Sequence, residues 1–160
     1  MHISKVKPPE TLQCVNATIY IGVVDDDPIQ HFLFKKCLAN IMLNNLSVSA
    51  SFFNSPIEFF EFAYQNPSRF QLLFLDINMP EMDGFQLLQK VEPLLKESRV
   101  YFISSSVDSE DLTKAMSFSC VRGYINKPID QNKLRSILST DFRFTNREDQ
   151  SSDVDKHLNL

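Results

Sequence analysis

The chain has 160 residues, of which 43% are hydrophobic and 22% charged, with a formal net charge of −4. That length suits one domain with a full core plus some tail, and the mild acidity gives no electrostatic attraction for nucleic acid or an anionic membrane. No apolar run approaches the roughly 20 residues of a membrane helix, no signal peptide opens the chain, and three scattered cysteines (Cys14, Cys37 and Cys120) indicate reduced thiols in a cytoplasmic protein.

The first half of the chain alternates predicted strands and helices. Residues 1–16 show little periodicity and are predicted to form a flexible N-terminal arm. An apolar run predicts a first strand over 19–24, and apolar residues four apart predict an amphipathic helix from about 29 to 43. The apolar stripe of this helix is Ile29, Leu33, Cys37 and Ile41. A second strand is predicted over 47–53, followed by a phenylalanine-rich helix that Ser55 caps and that continues through Tyr64.

The second half repeats the alternation and ends in a polar tail. Strands are predicted over 72–76, 100–103 and 121–126. The helix after the first of these is capped by Asp83, buries Phe85, Leu88 and Val91, and is ended or kinked by Pro93. Asp108 caps the next helix, with apolar residues Leu112, Ala115 and Met116, and a last helix follows Asp130. Residues 141–160 are predicted to be a disordered polar tail.

Strand–helix alternation predicts an α/β fold whose parallel strands are joined by helical crossovers. Several polar residues that periodicity leaves unexplained stand at the carboxyl ends of strands, which share one edge of a parallel sheet. They are Asp25, Asp26, Asp76, Ser104 and Lys127. Converging carboxylates repel one another unless a cation compensates them. Mg²⁺ prefers oxygen ligands of this kind, so we predict a magnesium site at this edge.

The same residues suggest phosphoryl chemistry. A carboxylate can act as a nucleophile and form an aspartyl phosphate. Lys127 and the Ser104 hydroxyl, together with Mg²⁺, could neutralise the oxygens of a phosphoryl group. No histidine is expected near a strand end, so a catalytic triad is unsupported.

Four stretches, in this order and spacing, resemble the receiver domain of two-component response regulators, the CheY-like family, over Thr18 to Ser139. They are Ile-Gly-Val-Val-Asp-Asp-Asp-Pro, Leu-Phe-Leu-Asp-Ile-Asn-Met-Pro-Glu-Met-Asp-Gly, Phe-Ile-Ser-Ser-Ser and Gly-Tyr-Ile-Asn-Lys-Pro. The resemblance implies a three-layer, doubly wound, flavodoxin-like fold whose five parallel strands run in the order 2-1-3-4-5. The receiver domain would then occupy residues 17–140.

The resemblance also assigns roles to individual residues. It makes Asp76 the phosphoacceptor, assisted by Lys127 and Ser104, and it makes Ser104 and Tyr124 the switch pair. The metal ligands would be Asp25, Asp26, Asp76 and the backbone carbonyl of Asn78. Because Lys127 must point back at the phosphoryl site while the chain turns into a helix, we also predict a cis peptide between Lys127 and Pro128, as the resemblance implies.

The sequence therefore predicts a single-domain response regulator. It would accept a phosphoryl group on Asp76, with Mg²⁺, from a histidine kinase or histidine phosphotransfer protein. It would assist its own phosphorylation and dephosphorylation without being an enzyme in the usual sense. The signal would pass to a downstream protein target, without nucleic acid or membrane as a partner.

Three other hypotheses remain open at this point. A Mg²⁺-dependent phosphatase with an aspartyl nucleophile needs a second carboxylate two residues after it, where this chain has Asn78. A receiver fragment of a longer regulator is compatible with a polar tail that could be a linker. A non-phosphorylated scaffold leaves the complete acidic set and Lys127 unexplained.

Overall fold

The computed structural model describes residues 17–41, 46–106 and 108–142, and in these ranges five strands alternate with five helices. The strands are β1 (Ala17–Val24), β2 (Leu46–Phe53), β3 (Leu72–Asp76), β4 (Arg99–Ser104) and β5 (Val121–Asn126). The helices are α1 (Pro28–Ala39), α2 (Pro56–Gln65), α3 (Gly84–Val91), α4 (Ser109–Ala115) and α5 (Gln131–Asp141). The predictions of a flexible arm and a disordered tail concern residues that lie outside the described ranges, except Asp141 and Phe142.

All strands pair in parallel in the order β2-β1-β3-β4-β5, which confirms the predicted flavodoxin-like topology. Every residue of the central strand β3 is buried, and its first four residues form a continuous apolar run, typical of a strand covered on both faces. The two faces of the sheet carry separate apolar clusters. Helices α1 and α5 cover one face and α2, α3 and α4 the other, which gives the three layers. No helix in the described part of the chain is long and apolar enough to cross a membrane.

Helix α1 differs from its prediction in both length and orientation. It ends at Ala39 rather than near residue 43, because Asn40 turns its own N–H and its side-chain amide back onto carbonyls of the last turn. The buried side chains of α1 are His31 and Phe34, whereas Ile29 is 64% exposed. The predicted stripe was therefore wrong at its first member. The first half of α1 has apolar residues at position 29 and at three consecutive positions, 32–34. These residues surround the helix, so their spacing alone did not determine which face is buried.

The later helices follow their predictions more closely. Phe85, Leu88 and Val91 of α3 are buried, and a short 3-10 turn over Glu92–Leu94, which includes Pro93, follows this helix. The last helix, predicted to follow Asp130, begins at Gln131, and its apolar residues Leu134, Ile137 and Leu138 are buried too. Helix α4 differs from its prediction, because only Ala115 is buried. Leu112, and Met116 directly after the helix, are exposed to solvent.

Loops at the carboxyl edge of the sheet fix the positions of the site residues. Asp83 caps α3 as predicted, and with Gln86 it forms a capping box. Gly84 lies so close to β3 that a Cβ would overlap the carbonyl oxygen of Asp76, so only glycine fits there. The Lys127–Pro128 peptide is cis, which confirms that prediction.

Candidate functional site

Two buried aspartates and one lysine meet at the carboxyl edge of the sheet. Val24 of β1 pairs with Leu75 of β3, so the residues that follow them, Asp25 and Asp76, lie side by side. Both carboxylates are buried, with 1% and 2% of their surface exposed. The Lys127 Nζ atom lies 2.7 Å from Asp25 Oδ2 and 2.9 Å from Asp76 Oδ2. The lysine therefore bridges the two carboxylates.

Burial and proximity shift the pKa values of these groups. Burial raises the pKa of Asp76, the nearby Asp25 charge adds to this, and the Lys127 contact partly opposes it. Burial alone would lower the pKa of Lys127, but its contacts with Asp25 and Asp76 outweigh burial and raise it. Lys127 thus stays charged, while Asp76 holds its negative charge at an energetic cost that an additional cation would relieve.

A third carboxylate completes a set that fits a divalent cation. Asp25, Asp26 and Asp76 each offer an oxygen within 4.8 Å of the others, and Asp26 faces solvent. The buried Asp25 Oδ2 contacts the Lys127 ammonium at 2.7 Å, but that ammonium is shared with Asp76, so one positive charge serves two buried carboxylates. This oxygen and its two neighbours are the hard ligands that Mg²⁺ prefers, so the residues fit the predicted metal.

Hydroxyl and amide groups line the other side of the site. Ser104, at the end of β4, is fully buried, and its Oγ accepts from the Asn78 side-chain amide at 3.5 Å and from the Ser106 N–H at 3.3 Å. The Tyr124 hydroxyl donates to the Ser106 carbonyl at 2.6 Å. The predicted switch residues Ser104 and Tyr124 are therefore connected through Ser106. Sequence reasoning assigned no role to Ser106, although it stands two residues after Ser104 in a serine run.

The structure thus brings together Asp25, Asp26, Asp76, Ser104 and Lys127, which the sequence placed at one edge. The Lys127 N–H donates to the Ser104 carbonyl at 2.9 Å, which joins the ends of β4 and β5 beside the acidic set. Asn78 also reaches this edge through its amide contact with Ser104.

The expectation of no histidine near a strand end was wrong. His31 of α1 is buried close enough to Asp25 for that charge to influence the pKa of the imidazole. His31 follows Asp25 by six residues, and this spacing could have indicated its position. Side chains of a helix tilt toward its N-terminus, so a residue in the first turn of a helix that begins at Pro28 lies near the preceding strand end.

Chemically, the site contains a buried carboxylate, an ammonium held between two aspartates, a buried hydroxyl and three clustered carboxylates whose spacing suits a metal ion. Such a combination can bind and transfer a phosphoryl group, because transfer depends mostly on positioning and on neutralising charge at the phosphoryl oxygens. No second carboxylate stands two residues after Asp76, where Asn78 presents an amide. The site therefore lacks the carboxylic acid that the phosphatase hypothesis requires at this position.

Comparison with known proteins gives a consistent result. Residues 21–139 match the family model described as the response regulator receiver domain. The rice two-component response regulator ORR22 is 28% identical over 142 residues, which cover 85% of this chain and 19% of ORR22. The chemotaxis protein CheY of Treponema pallidum is 36% identical over 63 residues, covering 39% of this chain and 43% of CheY.

Solved structures agree on the fold. CheY in a CheX–CheY–BeF3–Mg complex from Borrelia burgdorferi superposes with a TM-score of 0.65 at 19% identity, covering 78% of this chain and 89% of that one. A two-component response regulator from Cytophaga hutchinsonii gives 0.64 at 26% identity, covering 76% and 95%. The chain spans about a fifth of ORR22 and 38% of the probable transcriptional regulator ycf29 of Pyropia yezoensis.

Proposed function

Because this chain belongs to the response regulator receiver domain family, we propose that it accepts a phosphoryl group on Asp76 from a phosphohistidine of a histidine kinase or phosphotransfer protein. An Asp76 oxygen would attack phosphorus, the P–N bond would break, and the histidine imidazole would leave with its electron pair and take up a proton. The product is an aspartyl phosphate on this chain and a free histidine on the donor.

The observation that carries this proposal is the bridging of two buried aspartates by Lys127. A structural ion pair needs one carboxylate for each lysine, whereas here the second buried carboxylate raises the cost of the arrangement. That cost is understandable if the lysine serves an incoming phosphoryl group, whose oxygens its ammonium can hold. Ser104 Oγ lies on the same edge and would donate a hydrogen bond to another phosphoryl oxygen.

Magnesium would be held by Asp25, Asp26 and Asp76, with the backbone carbonyl of Asn78 as a further ligand. When bound, Mg²⁺ supplies positive charge that offsets repulsion between the phosphoryl group and the carboxylates. Asp76 supplies the nucleophilic oxygen and Lys127 the fixed ammonium. Ser104 supplies a hydroxyl from a fully buried position.

The signal would leave through the surface formed by α4, β5 and α5. Ser104 Oγ accepts from Asn78 and Ser106, so its O–H can donate to the phosphoryl group. A shift of Oγ toward that group would lengthen its contact with Ser106, which in turn holds Tyr124. Tyr124 lines a groove of about 420 Å³ on this surface. The other lining residues are Leu112, Ile125, Asn126, Pro128, Ile129, Asp130 and Lys133. We propose a downstream protein as the partner of this surface.

The direct test is mass spectrometry of the intact protein after incubation with phosphoramidate and Mg²⁺. We expect one phosphoryl adduct, mapped to Asp76 and abolished by Asp76→Asn. The matched control is Asp111→Asn, an aspartate on α4 outside the acidic set, which should leave the adduct intact. An adduct that persists in Asp76→Asn would contradict the assignment.

The aspartyl phosphatase hypothesis predicts a different outcome in the same experiment. A hydrolase releases inorganic phosphate over many turnovers without a detectable adduct. The amide of Asn78 disfavours this outcome, because it cannot act as a general acid. Steady phosphate release that Asp76→Asn abolishes would favour the hydrolase instead.

A further inference from the structure

The structure buries one histidine that the proposed reaction does not use. His31 is the fourth residue of α1 and is only 5% exposed. None of the described residues provides a hydrogen-bond partner for its Nε2 atom. Buried polar atoms of side chains are nearly always paired in folded proteins, and those left unpaired often have a functional role.

The imidazole lies in an aromatic contact between α1 and the edge strand β2. Its ring centroid is 5.2 Å from that of Phe52, with the planes inclined at 58°. Phe52 also meets the edge of the Phe34 ring at 6.1 Å and carries the Lys35 ammonium 4.6 Å from its centroid. A neutral imidazole packs in these surroundings as an aromatic ring, whereas an imidazolium would lose its hydration there.

Charged groups of both signs surround this ring. Asp25 at the end of β1, Asp27 before α1 and Glu58 on α2 favour a proton on His31, whereas Lys35 on α1 opposes it. Burial is the largest influence and lowers the pKa of His31 below its ordinary value of 6.5, in spite of the three carboxylates. The packed conformation therefore holds the neutral ring near pH 7.

We propose that His31 is an acid-sensitive switch in the packing of α1, in which the neutral imidazole seats the helix against β2 and protonation drives the ring out and loosens the first half of the helix. This proposal rests on packing and stands independently of the phosphoryl chemistry. It bears on the site nonetheless, since α1 begins directly after the acidic residues Asp25, Asp26 and Asp27.

The sign of the effect follows from proton linkage. A histidine whose folded pKa lies below its unfolded pKa contributes stability that is fully present above the unfolded value. That contribution is lost as the pH falls through 6.5 toward the folded pKa. Each unit between the two pKa values makes the folding equilibrium constant about tenfold smaller once the ring is fully protonated.

The first measurement is an NMR titration of the imidazole protons of the full chain. The signal lost in His31→Gln identifies His31 among the three histidines of the chain. We expect its midpoint to lie below the ordinary value of 6.5. A midpoint at or above 6.5 would overturn the proposal, and this test needs only the wild-type fold.

The second measurement compares urea unfolding of the wild type and His31→Gln between about pH 7 and pH 5. We expect the folding equilibrium constant of the wild type to fall further than that of the variant, by about tenfold for each pKa unit found by NMR. Amide exchange, corrected for its intrinsic pH dependence, should accelerate in α1 relative to α5 over the same interval. Equal pH dependence in both proteins, or unchanged exchange in α1 after His31 is protonated, would refute the switch.

Discussion

The two edges of the sheet contain buried polar groups that are arranged in opposite ways. Toward the amino edge, the buried Ser98 Oγ donates to the Phe70 carbonyl at 2.5 Å, and the half-buried Tyr101 hydroxyl donates to Asp141 Oδ2 at 2.9 Å. At the carboxyl edge two buried aspartates share one lysine. These two hydroxyls have complementary partners, whereas the carboxyl edge carries an excess of buried negative charge.

The polar groups at the two edges therefore affect the protein differently: those at the amino edge stabilise the fold, and those at the carboxyl edge suit a ligand. A paired neutral group contributes about 1 kcal/mol to folding, whereas neighbouring buried carboxylates oppose it. Binding sites commonly carry such a cost because their charges are complementary to a ligand. Substitutions toward the amino edge should therefore change the free energy of unfolding, and those at the carboxyl edge should mainly change ligand chemistry.

The largest expected effect is that of Lys127→Met at the carboxyl edge. Removing the ammonium that bridges Asp25 and Asp76 should slow adduct formation from phosphoramidate by roughly 10²–10³-fold, the usual effect of deleting one fixed donor to a reacting oxyanion. The rate can be followed by mass spectrometry. Lys90→Met, an exposed lysine on α3, is the matched control and should react at the wild-type rate. Equal rates for both variants would contradict the role of Lys127.

The next effect concerns Mg²⁺. Asp26 faces solvent but offers one of the three clustered carboxylate oxygens. Asp26→Ala should weaken Mg²⁺ binding at least about fivefold, because one charge at a distance of about 4 Å contributes roughly 1–4 kcal/mol. The free energy of unfolding without metal should change by less than about 0.5 kcal/mol. Calorimetric titration measures the affinity, and Glu61→Ala, on the exposed side of α2, is the control. Undiminished Mg²⁺ binding by Asp26→Ala would show that Asp26 is not a metal ligand.

Most of the carboxyl edge could be predicted from the sequence. A strand buried on both faces needs a continuous apolar run, so the residue that ends the run, such as Asp76, also marks the edge. Parallel strands then bring these residues together whatever their separation along the chain. The cap of α3 was equally predictable, because the Asp83–Gln86 pair acts locally.

The amino edge and the orientation of α1 could not be predicted in this way. Tyr101 and Asp141 are 40 residues apart and meet only because α5 packs across the sheet. His31 counts as polar in any hydrophobic pattern, yet it is buried while Ile29 is exposed. Such contacts depend on tertiary packing, which cannot be deduced from the periodicity of a single helix.

The Tyr101–Asp141 pair provides a test at the amino edge. Tyr101→Phe should cost about 1 kcal/mol of unfolding free energy at neutral pH and leave phosphorylation of Asp76 unchanged. Burial, together with the hydrogen bond to Asp141, raises the pKa of Tyr101 to about 12. Because the folded pKa lies above the unfolded value of about 10, the stability is fully present below pH 10 and is lost as the pH rises to 12.

Urea unfolding across this alkaline window gives the measurement. The wild type should lose on the order of 1–3 kcal/mol more than Tyr101→Phe between those pH values. Parallel loss in the two proteins would mean that the Tyr101 hydroxyl titrates as it does in the unfolded chain. A slower rate of phosphorylation in Tyr101→Phe would show instead that the two edges are coupled.

The smallest expected effect compares one kind of substitution at both edges. Glu81, in the loop between β3 and α3, has a φ of 69°, and Ser68, in the loop between α2 and β3, has a φ of 58°. A left-handed conformation costs a residue with a side chain roughly 1–2 kcal/mol, and glycine avoids that cost but gives the unfolded chain more freedom, worth about 0.5–1 kcal/mol. Each change to glycine should therefore raise the free energy of unfolding by a few tenths to about 1 kcal/mol. Ser68→Gly also removes a long hydrogen bond of 3.4 Å to the Leu94 carbonyl, so its gain in unfolding free energy should be the smaller one.

The two substitutions should differ in their effect on phosphorylation. The loop containing Glu81 connects Asp76 to the helix that begins at Gly84, so Glu81→Gly alone should alter the rate of adduct formation on Asp76. An equal change of rate in Ser68→Gly would show that the chemistry of the carboxyl edge responds to strain anywhere in the sheet.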